Sequence, residues 1–215
     1  MPDGRSQLAA VFVPDGHGPF PLVVFLHGSS GLTRAQLLWA PRLALAGYVV
    51  VAGCYLAADL TSVVPDPSTL VPCTGLGAHD PTNTRAVSAA YTSLVNGAKA
   101  LTVVKQGTFG LVGVSFGAGV ALDAVDPSLA AVVADSGLGS GPKFTGDAPV
   151  LLLGGTADPE VPHTALVAFE QMLRAAGKNV ESHYYDGAGH IVTEFPTTTA
   201  DATQRAIDFL DAHLK

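Results

Sequence analysis

The chain has 215 residues, of which 48% are hydrophobic and only 13% are charged, about half the charged share of a typical soluble protein. This composition excludes disorder, a coiled coil or long solvated helices as the main structure. The 11 basic and 18 acidic residues give a formal net charge of -7, and lysine and arginine form no run. Binding to nucleic acid or to anionic lipid is therefore not expected.

The length and the apolar content predict one domain spanning residues 1–215. No apolar run reaches the roughly 18 residues that a membrane helix needs. Residues 1–10 lack the apolar stretch of a signal peptide. We therefore expect no membrane association and a cytoplasmic location, or a secreted one where a leader has been removed. The composition is compatible with a monomer or a homodimer.

Two cysteines, Cys54 and Cys73, are too few for a disulfide scaffold and lack the spacing of a zinc site. The simpler interpretation is two separate thiols. The alternative is one disulfide that ties the proline-rich segment around Cys73 to the strand end at Cys54. Neither interpretation implies a metal.

Short apolar runs alternate with segments in which apolar residues recur every three or four positions, which is typical of a mostly parallel sheet covered by helices. The pattern predicts a three-layer α/β/α, doubly wound fold. The predicted strands are residues 8–13, 22–26, 48–52, 109–114, 131–134, 150–153 and 181–185. The predicted helices are residues 36–46, 85–95, 118–124, 164–176 and 200–214.

Residues 57–83 contain four prolines among small and polar residues and show neither a helical nor a strand period. A loop of this length is uncommon in a compact domain unless it has a function. We therefore expect it to form the rim of a binding site. No second domain or internal repeat is visible.

A G-x-S-x-G motif, Gly113-Val114-Ser115-Phe116-Gly117, directly follows the most apolar predicted strand and opens a predicted helix. Its glycines allow a turn so tight that Ser115 takes a strained backbone conformation above the carboxyl edge of the sheet. A glycine-rich turn for a nucleotide is the alternative, but the G-x-G-x-x-G and GK[ST] patterns are absent. The motif predicts that Ser115 is a nucleophile.

A serine nucleophile needs a base within hydrogen-bond reach, normally a histidine oriented by a carboxylate. His190 follows the last predicted strand on the flexible loop Asp186-Gly187-Ala188-Gly189-His190, at the edge where sites of such sheets lie. His190 is therefore the predicted base. The other histidines fall on helices, turns or strands and are expected to be structural or exposed: His17, His79, His163, His183 and His213.

Asp158 lies in the loop after the next-to-last predicted strand and is followed by two prolines that stiffen the loop. It is the predicted acid that orients His190, because the chain order Ser, Asp, His matches the order of this fold. Asp135 and Asp186 are the alternatives. On its own, Asp158 would be a turn-forming residue before a proline.

Acyl transfer also needs two hydrogen-bond donors for the developing oxyanion. The backbone amide of Phe116, directly after the nucleophile, is one predicted donor. The other is the amide of Ser29, in a glycine-rich segment after an early strand, with Gly28 as the alternative. His27 is expected to hold this segment by hydrogen bonds, and Trp39 is expected to be a packing residue.

These motifs together resemble the α/β-hydrolase superfamily, and within it the small, capless dienelactone hydrolase-like branch. The resemblance rests on residues 18–28 (GPFPLVVFLHG), 45–50 (LAGYVV), 113–117, 154–162 and 187–190. It implies a serine hydrolase without metal or cofactor that acts on esters through an acyl-enzyme. Dienelactone hydrolases proper carry a cysteine nucleophile and a glutamate after the early-strand histidine, where this chain has Ser115 and Gly28.

The sequence thus predicts a carboxylesterase that cleaves small, short-acyl esters and needs no cofactor. A dienelactone or lactone hydrolase and a peptidase of the prolyl oligopeptidase kind are the alternative enzymes. A binding protein on a hydrolase scaffold is the alternative from another class, and it would normally have lost one of the three catalytic residues.

Overall fold

The computed structural model of the chain describes residue 7 and residues 9–55, 84–141 and 146–215. The described residues fall into two compact units, within residues 1–106 and 107–215. The predicted single domain stays a prediction. The predicted loop 57–83 and Cys73 lie outside the described residues.

Cys54, at the end of a buried strand, is disulfide-bonded, so the interpretation of two separate thiols is wrong.

The first unit is built on strands whose residues are almost all apolar. Its described elements are β1 (Ala9–Phe12), β2 (Phe20–Leu26), α1 (Arg34–Leu45), β3 (Val49–Gly53) and α2 (Thr84–Lys99). Strand β3 lies between the other two, antiparallel to β1 and parallel to β2. Helix α1 packs against β1 and β3, and α2 packs against β2. Because helices cover these strands, β3 is buried on both faces.

The second unit is a parallel sheet in the order β4-β5-β6-β7. Its described elements are β4 (Val104–Val114), which begins at the end of the first unit, α3 (Phe116–Leu122), β5 (Leu129–Asp135), β6 (Val150–Gly155), α4 (His163–Ala175), β7 (Val180–Tyr185), a 3-10 helix (Val192–Glu194) and α5 (Thr199–Leu214). Helices α3 and α5 pack against β5, and α4 packs against β6 and β7. Parallel strands present their carboxyl ends at one edge, where the connecting loops gather.

All seven predicted strands and all five predicted helices are present among the described residues, and the prediction of a mostly parallel α/β fold is confirmed. The largest difference is β4, which begins at Val104 rather than Phe109. Residues 105–108 are exposed, so no apolar pattern marks them. The 3-10 helix is too short to show a period. None of the helices in the described ranges combines the length and the apolar character that a membrane crossing requires.

The end of β2 carries a buried histidine, His27, in the first unit. Its Nδ1 donates to the carbonyl oxygen of Gly28 at 2.7 Å, and the hydroxyl of Tyr55 donates to the His27 carbonyl oxygen at 2.6 Å. Burial lowers the pKa of His27 to about 4, so the ring is neutral at pH 7. These contacts support the structural role expected of His27. Trp39, which is 2% exposed and meets Phe25 edge to face, is a packing residue as expected.

We predict that the stability of the protein falls as the pH is lowered from about 6.5 to 4, because His27 takes up a proton more readily in the unfolded chain. The shift from 6.5 to about 4 corresponds to about 3 kcal/mol of unfolding free energy. Urea unfolding across this range should therefore show a shallower pH dependence in His27→Gln than in the wild type. The exposed His17, changed to Gln, is the matched control and should keep the wild-type slope.

Candidate active site

Ser115 occupies the sharp turn between β4 and α3. Its backbone has φ 53° and ψ -120°, a region that non-glycine residues rarely enter. The amide of Ser115 donates to the carbonyl oxygen of Asp135 at 2.8 Å, which ties the turn to the end of β5. The predicted strained turn is therefore present, and the neighbouring strand holds it.

Gly113 allows the turn to be this tight. A β-carbon at Gly113 would lie 2.3 Å from the carbonyl oxygen of Gly117, which is closer than any real contact. Because the obstructing atom belongs to the backbone, no side-chain movement could relieve the clash. The junction between the end of β4 and the first turn of α3 thus depends on the absence of a side chain at position 113.

The structure brings Ser115, His190 and Asp158 together within the second unit. Nε2 of His190 lies 2.9 Å from Oγ of Ser115, and Nδ1 of His190 lies 2.8 Å from Oδ2 of Asp158. The side chain of His190 is 13% exposed and that of Asp158 is fully buried. Both distances are within the reach needed for proton transfer from a serine to a base and for orientation of that base.

Asp158 is held by its own loop as well as by the histidine. Its Oδ1 accepts hydrogen bonds from the amides of Glu160, at 2.8 Å, and Val161, at 2.9 Å. Its Oδ2 is left to accept a hydrogen bond from the N–H group at Nδ1 of His190. This fixes the tautomer in which Nε2 of His190 is free to accept the hydroxyl proton of Ser115.

The loops that carry Asp158 and His190 are bound directly to each other. The amide of Ala157 donates to the carbonyl oxygen of Ala188 at 2.9 Å, and the hydroxyl of Thr156 donates to Asp186 at 3.1 Å. A β-carbon at Gly155 would lie 2.1 Å from the same Ala188 oxygen. Asp186, one alternative for the acid, thus contacts the neighbouring loop, and Asp158 contacts the histidine.

Asp135, the other alternative for the acid, binds the chain that follows His190. It is completely buried at the end of β5 and accepts four hydrogen bonds, from the hydroxyl of Ser136, the amide of Val192, and both the amide and the hydroxyl of Thr193, at 2.6 to 3.1 Å. The hydroxyl of Ser136 in turn accepts from the amide of Ile191 at 3.0 Å. Burial raises the pKa of Asp135, while these hydrogen bonds oppose the change. Asp135 therefore anchors the 3-10 helix beside the histidine.

Glu160 is a further residue near the histidine that the sequence did not single out. Its Oε2 lies 3.6 Å from Nε2 of His190, on the side of the ring that also faces Ser115. The Glu160 side chain is 68% exposed, in contrast to the buried Asp158. Its position two residues after Asp158 was the one available signal of its proximity, and the structure shows its amide bonded to the Asp158 carboxylate.

The other histidines take structural or exposed positions, as far as the described residues extend. His163, His183 and His213 each meet an aromatic ring edge to face, at 4.5 to 4.8 Å between centroids. His17 is exposed, and His79 lies outside the described residues.

The two predicted oxyanion donors belong to different units. Phe116 is the first residue of α3, so its amide has no acceptor within the helix. Ser29 is an exposed turn residue after β2, and Gly28 beside it is buried. Their joint role stays a prediction.

Within the described ranges, no three His, Cys, Asp or Glu side chains are grouped so that they could hold a metal ion.

A serine, a histidine and an aspartate are linked by hydrogen bonds at the carboxyl edge of a mostly parallel α/β sheet. This arrangement is typical of α/β-hydrolases. The family description "Dienelactone hydrolase family" matches residues 8–214, and the chain belongs to this family. A lactone is a cyclic ester, so family membership makes the chain an ester hydrolase, as predicted.

Solved structures with the same fold have low sequence identity to this chain. Esterase PE8 is 22% identical with a TM-score of 0.71, covering 97% of this chain and 100% of its own. Est1E from Butyrivibrio proteoclasticus is 16% identical with a TM-score of 0.71, covering 98% and 95%. A dienelactone hydrolase-like promiscuous phosphotriesterase from metagenomic libraries is 19% identical with a TM-score of 0.74, covering 100% and 96%. The predicted α/β-hydrolase fold is confirmed. A search of curated proteins found no match.

We predict that Gly113→Ala loses about 3 kcal/mol or more of stability, since its β-carbon would meet the Gly117 backbone. Gly97→Ala is the matched control, because it lies in helix α2 with no atom within 4 Å of the added carbon. That variant should gain about 0.5–1 kcal/mol from helix propensity. Denaturant unfolding of both variants measures the difference, and equal stabilities would contradict the close approach.

We predict that Asp135→Asn loses about 2–3 kcal/mol of stability, because an amide group would face donors that now bind a carboxylate. Its kcat for esters should also fall, since His190 loses the support of the following segment. Asp186→Asn keeps an oxygen for Thr156 on an exposed loop and should stay within about 0.5 kcal/mol of the wild type. Loss of turnover at unchanged stability in Asp135→Asn would instead identify Asp135 as the acid.

Proposed function

We propose that this ester hydrolase is a serine carboxylesterase that cleaves small, short-acyl esters through an acyl-enzyme, with Ser115 as nucleophile, His190 as base and Asp158 as the orienting acid. The observation that carries the proposal is the continuous hydrogen-bond sequence from Ser115 Oγ through His190 to Asp158, at 2.9 and 2.8 Å. The strained turn at Ser115 adds support, because such strain is costly and concentrates at functional positions.

Acylation begins when Ser115 Oγ attacks the ester carbonyl carbon and His190 Nε2 takes the hydroxyl proton. The imidazolium that forms is stabilised by the Asp158 carboxylate on Nδ1. Collapse of the tetrahedral intermediate breaks the bond to the alcohol oxygen, which receives the proton from Nε2. The alcohol leaves and the acyl group stays on Ser115.

Deacylation repeats these steps with water as the nucleophile. His190 removes a proton from water, the hydroxide attacks the acyl carbonyl, and Ser115 leaves with the proton returned by His190. We propose that the Phe116 and Ser29 amides bind the oxyanion in both halves. Removal of one such donor typically costs about 3–4 kcal/mol in the transition state. No step requires a metal or a cofactor.

The preference for short acyl groups is the finer part of the proposal. The connection from β4 to α3 is direct, and α3 is joined to β5 by residues 123–128 only. These described connections hold no inserted subdomain that could enclose a long acyl chain. An open site of this kind buries little of a long chain and gains little from extending it.

A lactone hydrolase is the second candidate, and it is also consistent with the family match. The same three residues would open a cyclic ester with the alcohol still attached to the acyl group. The chain has Ser115 and Gly28 where dienelactone hydrolases proper carry a cysteine and a glutamate, so the activation of a cysteine nucleophile does not apply here. This departure favours the general carboxylesterase.

We predict that the purified protein hydrolyses p-nitrophenyl acetate and butyrate faster than the octanoate and palmitate. Ser115→Ala should reduce kcat/KM by three or more orders of magnitude, because the nucleophile is lost while the fold remains. Ser140→Ala, an exposed serine bonded to Asp123, is the matched control and should retain full turnover.

A rate that rises toward the long-chain esters would contradict the short-acyl preference but leave the nucleophile intact. Turnover of γ-butyrolactone well above that of the linear esters would favour the lactone hydrolase. Equal activity of the wild type and Ser115→Ala would overturn the proposed function.

A further inference from the structure

Two carboxylates lie beside the imidazole of His190, and the proposed mechanism uses only one of them. Asp158 is buried and bonded to Nδ1, whereas Glu160 has its Oε2 3.6 Å from Nε2 and its side chain is 68% exposed. The two carboxylates therefore differ in access to solvent and in the ring nitrogen that they face. Nε2 is the nitrogen that meets Ser115, so Glu160 places a negative charge next to the reacting atoms.

The backbone of Glu160 is fixed by the same carboxylate that orients the histidine. Its amide donates to Oδ1 of Asp158 at 2.8 Å, and the amide of the next residue, Val161, does so at 2.9 Å. A flexible loop would let Glu160 leave the histidine, but this turn keeps its α-carbon in place. Only the side-chain torsions remain free.

Among the residues that the structure describes, no lysine or arginine forms an ion pair with Glu160. In the part of the chain that the structure describes, its ion-pair partner is His190, which is charged only while it carries the catalytic proton. Within the described ranges, a substrate that approaches Ser115 while His190 is neutral therefore comes beside a carboxylate that has no cationic partner.

We propose that Glu160 is a specificity-determining residue that disfavours esters with an anionic acyl group and favours those with a cationic one. The inference rests on the proposed function, because it assumes that the ester carbonyl is attacked by Ser115. A neutral acyl group interacts weakly with Glu160. An acyl group with a charge a few bonds from the carbonyl carbon comes within one Debye length, about 10 Å, of the Glu160 carboxylate.

The size of the effect follows from the exposure of Glu160. Two unit charges about 6 Å apart in an environment close to water change a rate by about three- to tenfold. A buried charge would produce more, and a charge beyond the Debye length would produce almost nothing. The expected discrimination is therefore modest and should weaken as salt is added.

The experiment compares three p-nitrophenyl esters that share a leaving group and have similar acyl lengths: the neutral butyrate, the anionic hemisuccinate and the cationic 4-trimethylammoniobutyrate. Values of kcat/KM are measured at pH 7.5 in low salt and in 0.5 M NaCl, conditions chosen to vary screening. Glu160→Gln should raise the hemisuccinate-to-butyrate ratio about three- to tenfold and lower the cationic-to-butyrate ratio by a similar factor. Added salt should shrink both differences.

Glu181→Gln is the matched control. Glu181 is an exposed glutamate near the start of β7, whereas the His190 loop follows the other end of that strand. Tyr185 lies four positions along the strand from Glu181, which is a distance of about 13 Å. This variant removes the same net charge and should leave both ratios unchanged.

The result distinguishes failure of this inference from failure of the proposed function. Unchanged ratios in Glu160→Gln, with the butyrate still hydrolysed and Ser115→Ala inactive, would overturn the role of Glu160 alone. Equal shifts in Glu181→Gln would also overturn it, because net charge would then be the cause. Butyrate hydrolysis that survives Ser115→Ala would overturn the proposed function itself.

Discussion

The candidate site depends on backbone segments that approach one another more closely than a side chain would permit. At the end of β4, a β-carbon on Gly113 would meet the Gly117 carbonyl oxygen at 2.3 Å, and at the end of β6 one on Gly155 would meet the Ala188 oxygen at 2.1 Å. The first approach fixes the turn that carries Ser115, and the second fixes the loop that carries His190. A hydrogen bond of 2.9 Å between these side chains tolerates little displacement of either support.

Two buried aspartates at the same edge of the sheet illustrate how surroundings separate the roles of identical side chains. Asp158 gives one oxygen to backbone amides and one to a titratable ring, so it can respond to the charge on His190. Asp135 gives both oxygens to groups that never change their charge. A buried carboxylate that is satisfied in this way is an anchor, since breaking any of its bonds leaves an unpaired buried group. Asp158, the proposed orienting acid, and Asp135, the anchor, thus follow or end two neighbouring strands, β6 and β5.

The sequence predicts what depends on local pattern and chain order. Strands and helices follow from apolar periodicity, and Ser115, Asp158 and His190 follow from motif, placement after strands and order along the chain. The partners of Asp135 were not predictable, because its bonds to residues 192 and 193 span more than 55 positions and carry no motif. The polar start of β4 was missed for a different reason, because the exposed residues of a strand leave no apolar pattern in the sequence. The contact of Glu160 depends on a side-chain torsion that no spacing rule describes.

The turn that begins at Asp158 separates two kinds of evolutionary constraint at position 160. What the acid requires from this position is an amide hydrogen, which every amino acid except proline provides. In the proposed role, the approaching substrate meets the side chain of Glu160, which Asp158 does not use. On the proposed role of Glu160, mutation at position 160 alters substrate selectivity while the orientation of the His190 imidazole is preserved, and related enzymes can diverge at this position without rebuilding the residues beside it.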